Sequence, residues 1–169
     1  MLALAVTGGL FAYTYTTQST SITAISKSAD FATVSANNTM SAYNLFGSYR
    51  GSIGSGTLFN VTPATDYSGD IEVNVYLTNA DELSKNYGLF LMRLQFQDIS
   101  NNPADVEGIN KPLTLRNGVV TFTCDNLTGG DVYHVQCLGG VYQAFPWSFL
   151  SGGSIYDPSI LYDVGPAGL

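Results

Sequence analysis

In the stretch IEVNVYLTN (71–79), Ile71, Val73, Val75 and Leu77 alternate with Glu72, Asn74, Tyr76 and Thr78. Successive side chains of a strand point to opposite faces, so this spacing makes one dry face and one wet face. The same short period returns in LFLMRLQFQD (89–98), where Leu89, Leu91 and Arg93 oppose Phe90, Met92, Leu94 and Phe96. Further strands are read in ADFATVSA (29–36), LTLRN (113–117), GVVTFTCDN (118–126), DVYHVQCLGGVYQAF (131–145) and SILYDVG (159–165). The turn signal Asn117-Gly118 opens the third of these. The Gly/Ser-rich passage from 46 to 70 reads as a hairpin region and loop, and ISNNPADVEGINKP (99–112) as a loop. One short helix is expected over NADELSKNYG, with Asn79 as its cap, Glu82 as the reciprocal partner and Gly88 as the stop. The chain therefore predicts an all-β, jelly-roll-like β-sandwich of about 7–9 strands with one short helix and an extended N-terminal strand.

A chain of 169 residues is long enough for one domain with a real core, plus an arm. Apolar residues make up 45% of it and charged residues 11%; Ser, Thr, Asn and Gly supply the missing polarity. That balance suits a β-rich extracellular surface protein. The net charge of −7 stands beside only six Lys and Arg, with no basic cluster, so nucleic acid is excluded as a partner.

Little here suggests catalysis. GxSxG, HExxH and phosphate-loop sequences are all missing, and His134, the only histidine, lies in a predicted strand as a structural residue. No cofactor is expected. Asp98, Asp105 and Glu107 are candidate calcium ligands, set against the plainer reading of solvated loop charge. Lys27, Lys85 and Lys111 are candidates for an intramolecular isopeptide bond to an Asn or Asp. Cys124 and Cys137 flank DNLTGGDVYHVQ, and an even cysteine count in an exported chain favours a disulfide closing that loop. Sequons at Asn37, Asn60 and Asn126 fall in predicted loops or strand ends, Asn126 at the tip of the cysteine loop. Trp147, after Pro146, reads as a core anchor.

The N-terminus divides in two. MLALAVTGGLFA (1–12) has the apolar character of an export signal, without a basic residue before the apolar run. Polar residues from Thr14 onward leave too short an apolar run for a stable membrane span. Residues 13–27 form the arm, and the residues from Phe11 to Ile25 suit a strand: Phe11, Tyr13, Tyr15 and Ile25 share one parity, and Ile22 and Ala24 take the other. This segment is either a donated arm or the first strand of the sandwich, whose body spans residues 28–169.

The residues Gly8-Gly9, Ala12-Tyr13, Thr23-Ala24 and Asp30-Phe31, following the apolar Leu/Ala run, resemble the start of the TasA/camelysin family of biofilm fibre proteins and related archaeal bundling-pilus subunits. The resemblance covers about 35 residues. It implies a secreted jelly-roll subunit on the cell surface or in the biofilm matrix, polymerised head to tail with copies of itself. Phe11, Tyr13, Tyr15, Ile22 and Ile25 would be the donated residues, and neighbouring filaments the partners in bundles. The protease label of camelysin finds no metal or nucleophile constellation here. The rival expectations are a monomeric secreted adhesin or carbohydrate-binding sandwich using Tyr142, Phe145 and Trp147, then a secreted hydrolase. A type IV pilin is disfavoured by the poor helix-forming N-terminus.

Overall fold

The computed structural model describes residues 22–26, 32–36, 50–67, 69–150 and 158–167. Their strands are β1 (Ile22–Ser26), β2 (Ala32–Ala36), β3 (Arg50–Ile53), β4 (Gly56–Pro63), β5 (Ile71–Leu77), β6 (Tyr87–Asp98), β7 (Lys111–Thr114), β8 (Val119–Cys124), β9 (Tyr133–Ala144) and β10 (Ile160–Pro166). Helix α1 (Ala80–Asn86) joins β5 to β6, and a single turn, α2 (Trp147–Leu150), follows β9.

The strands form two sheets, β1-β10-β5-β8 and β2-β4-β9-β6-β7, with β3 also paired to β9. Setting β2 and β3 aside, the orders β1-β10-β5-β8 and β4-β9-β6-β7 follow a jelly roll in their strand order, but not in direction at β1, which runs parallel to β10. The protein is an all-β sandwich.

Its core follows from the alternation. Ile71, Val73, Val75 and Leu77 of β5 are buried, as are Phe90, Met92, Leu94 and Phe96 of β6. Two aromatic contacts cross between the sheets. Phe59 of β4 stacks on Tyr162 of β10 with ring centroids 3.9 Å apart and planes 13° apart, and Phe96 of β6 meets Phe122 of β8 at 6.3 Å. The outward positions carry polar ladders instead. On β5 and β8, Thr121 Oγ1 donates to Asn74 Oδ1 (2.6 Å), and Asn74 Nδ2 donates to Glu72 Oε1 (2.9 Å). Such cross-strand pairs give each outer face its own stabilisation in water.

Three sequence expectations are corrected. The passage from 46 to 70, expected as a hairpin region and loop, holds two strands that do not pair with each other: β3 and β4 run in succession along β9, interrupted at Gly54 and Ser55. Its glycines hide a strand whose Leu58, Phe59 and Val61 are fully buried. Asn117-Gly118 does not close a hairpin, because β7 pairs with β6 and β8 with β5, so the turn carries the chain from one sheet to the other. Asn79 does occupy the N-cap position, but its side chain makes no cap bond; Asn79 Oδ1 accepts from the Ser159 N–H (2.8 Å). The helix ends at Tyr87, one residue before Gly88, because Tyr87 already opens β6.

Candidate functional site

Every strand pairing among the described residues is antiparallel except one: β1 lies parallel to β10, with Ile22 opposite Ile160 and Ser26 opposite Val164. Parallel neighbours cannot be joined by a tight turn, and here they come from opposite ends of the chain. Ile160, Tyr162 and Val164 are each at most 2% exposed, so β10 is a built part of the core. Its other edge is occupied by β5 in full register from Ile160–Leu77 to Pro166–Ile71. The edge facing β1 is therefore the place where this sheet takes a strand that the hairpin connectivity does not dictate. Of the donated residues expected from the sequence, Ile22 falls opposite Ile160 and Ile25 opposite Asp163. Phe11, Tyr13 and Tyr15 lie outside the described residues, as does the segment 1–12.

At the far side of the same sheet, the outer edge of β8 is covered. The Val106 N–H donates to the Thr123 carbonyl (2.9 Å), and Lys111 Nζ donates to the Thr121 carbonyl (2.8 Å). Occupied edge groups are poor templates for another strand. The two edges of this sheet thus differ in kind.

The carboxylates named as calcium candidates do not converge. Asp98 serves its own loop: Oδ1 accepts from the N–H groups of Ser100 (2.8 Å) and Asn102 (2.9 Å), and Oδ2 accepts from Asn102 Nδ2 (3.0 Å). The hydrogen bonds from Asn102, side chain first, hold its carboxyl below the usual aspartate range. Asp105 and Glu107 sit instead around Lys111, with Nζ 4.0 Å from Asp105 Oδ2 and 2.8 Å from Glu107 Oε2. Among the described residues no three His, Cys, Asp or Glu side chains gather as a metal-ligand set. A cleft of about 550 Å³ runs beside Asp98, Asp125, Asp131 and Tyr133, and it includes Asn126 on its wall.

Cys124 and Cys137 are free thiols, both buried. Their sequence spacing suggested a closed hairpin, but the connection between them crosses the sandwich. Cys124 ends β8 opposite Ile71, whereas Cys137 in β9 lies between Gly56 and Leu94 in the other sheet. Burial pushes both thiols above their ordinary range, which removes the thiolate needed for exchange.

The sequons separate as well. Asn60 is not in a loop or at a strand end but within β4, flanked by Ser35 of β2 and His134 of β9. Asn126 is exposed, in the left-handed region (φ 54°), on the connection between the sheets. Asn37 lies outside the described residues, as does Lys27. Lys85 is exposed on the last turn of α1. His134 sits half-buried in β9, where burial lowers its pKa against the opposing pull of Asp98.

Trp147 is not the core anchor that its place after Pro146 suggested. It is 59% exposed and stacks on Phe145 at 4.5 Å with planes 9° apart. Phe145 rests where Gly88 has no side chain, so a Cβ at residue 88 would meet its ring at 2.9 Å. Tyr142 is buried, edge-on to Tyr87, and presents nothing to a ligand. No helix among the described residues is long and apolar enough to cross a membrane. No protein-family model matches the sequence, and no curated protein matches it.

Proposed function

We propose that this protein is a structural subunit of an extracellular filament, joined head to tail when the N-terminal strand of one copy adds to the sheet of the next. The observation that supports it is the lone parallel pairing of β1 with β10. A strand paired there without a hairpin to its neighbour can equally be supplied by another molecule. The covered edge of β8 leaves one acceptor edge in this sheet, and a contact with distinct donor and acceptor builds an open chain of subunits. The resemblance of the first 35 or so residues to fibre-forming proteins leads to the same reading. The subunit carries no catalytic role, and its surroundings are the cell surface or matrix.

Electron microscopy of the full chain beside a version beginning at Ser28 tests this. Filaments from the full chain alone are the expected result. Monomers from both, or filaments from both, would overturn the strand-donation reading.

A second reading rests on Trp147. An exposed indole stacked on Phe145 is an apolar platform of the kind on which a sugar ring packs. If the protein is a monomeric adhesin, a glycan screen gives a ligand whose binding is lost in Trp147→Ala; a filament subunit without that role gives none.

A further inference from the structure

Asp105 is the most anomalous polar residue among those described. Its side chain is fully shielded from solvent, and neither carboxylate oxygen makes a well-formed hydrogen bond, the backbone N–H groups of Asp105 and Glu107 giving only weak support to its charged form. A buried carboxylate left in that state is costly, and native structures keep few of them without a purpose. Burial is the main influence on its titration and raises its pKa, against the pull of Lys111. Lys111 approaches within 4.0 Å of Oδ2. Its Nζ is held on three sides: by Glu107 Oε2 at 2.8 Å, by the Thr121 carbonyl at 2.8 Å, and by the Phe122 ring, whose centroid lies 5.4 Å away.

We propose that Asp105 and Lys111 condense into an intramolecular amide bond, with Glu107 as the proton carrier. The Glu107 carboxylate takes one proton from the Lys111 ammonium, and the freed amine attacks Cγ of the protonated Asp105. A C–N bond forms, the C–O bond to the acid hydroxyl breaks, and water leaves with a second proton from nitrogen. Glu107 ends as the neutral acid and, with its side chain 59% exposed, returns its proton to solvent. No oxidant, metal or activated ester is required. Condensation is unfavourable for separate molecules in water, but a preformed pair in a shielded site gains an effective concentration of about 10⁵–10⁸ M when well oriented. Lys111 must still close the gap to Cγ from its present 4.0 Å from Oδ2.

The bond would fasten the covered edge of the sandwich. Lys111 opens β7 in one sheet, whereas the loop carrying Asp105 is tied by Val106 to Thr123 of β8 in the other. A covalent link there keeps the loop over the β8 edge. This proposal does not depend on the filament reading, since a lone adhesin would carry the same bond.

Intact mass spectrometry of the folded, then denatured, full chain is the test. The wild type is expected one water lighter than its sequence mass. Cleavage after Glu107 should leave the two fragments joined, because the bond spans that site. Lys111→Arg keeps the positive charge but has no amine to give, and it should appear at full mass. Glu107→Gln should convert at least tenfold more slowly. Asp105→Asn is not a clean negative, since it would reach the same amide by losing ammonia. A folded wild type at full sequence mass overturns the proposal. So does a water loss that persists in Lys111→Arg or is reversed by hydroxylamine, which marks a succinimide. An unchanged rate in Glu107→Gln overturns the role given to Glu107.

Discussion

The contact between Phe59 and Tyr162 bolts β10 to the opposite sheet, and its removal should be costly. Phe59 is fully buried, and Tyr162 is 2% exposed. Replacing a buried Phe by Ala costs about 3–5 kcal/mol from lost transfer energy and the cavity left behind. An aromatic stack of this geometry adds about 0.5–1.5 kcal/mol beyond area burial. A domain typically has only about 5–15 kcal/mol of stability in hand, so Phe59→Ala should remove at least about a fifth of it. At about 2–4 °C per kcal/mol for a chain of this size, the melting temperature should fall by roughly 7–26 °C. Phe59→Leu keeps most of the volume and should cost about 1.5 kcal/mol or less. Urea unfolding of the two single Leu variants at 59 and 162 and of the double variant isolates the ring–ring coupling. A loss under 1 kcal/mol in Phe59→Ala, or a cycle with no coupling, would refute the claim that this stack joins the sheets.

Gly140→Ala should unfold or badly weaken the protein, because its Cβ would run into the carbonyl oxygen of Leu91 across the β6–β9 ladder; Gly165→Ala, with nothing within 4 Å, should leave the melting temperature unchanged. The acid limb depends on Asp98. Its folded pKa lies below the ordinary 3.8, so its contribution is present above that value and is lost as pH falls through the folded pKa; Asp98→Asn should flatten urea midpoints there. Asp105 has the opposite sign. Where Lys111→Arg leaves it unlinked, its raised pKa means that stability should fall as pH climbs from 3.8 through the folded value. With both thiols buried and free, reductant should not shift the melting temperature, and alkylation should occur only on unfolding; a drop on reduction would contradict the free thiols.

The strands with clean alternation were legible because a two-residue period is a local property. β5 and β6 were read nearly as they stand, and the sandwich follows from having many such faces to bury. β4 was not legible, since Gly54, Ser55 and Gly56 look like a loop and only its contact with β9 on one side and β2 on the other makes it a strand. Trp147 misled for a related reason. Its hydrophobicity argued for the core, but the space beside Gly88 is filled by Phe145, and the indole is left stacked outside.

Residue types and spacing determined which segments extend and which faces are dry, and offered Lys111 as one of three candidate lysines for an isopeptide bond. The tertiary structure decided which sheet each strand joins. That assignment separated Cys124 from Cys137, turned Asn117-Gly118 into a crossing between sheets, and laid β1 parallel on β10. It also brought Asp105 and Glu107 around one amine and left Asp98 to its own loop. The physical reason is that alternation specifies a face but not a partner. Partners are chosen when two sheets must close over one core with their edges covered, a condition that involves the whole chain at once.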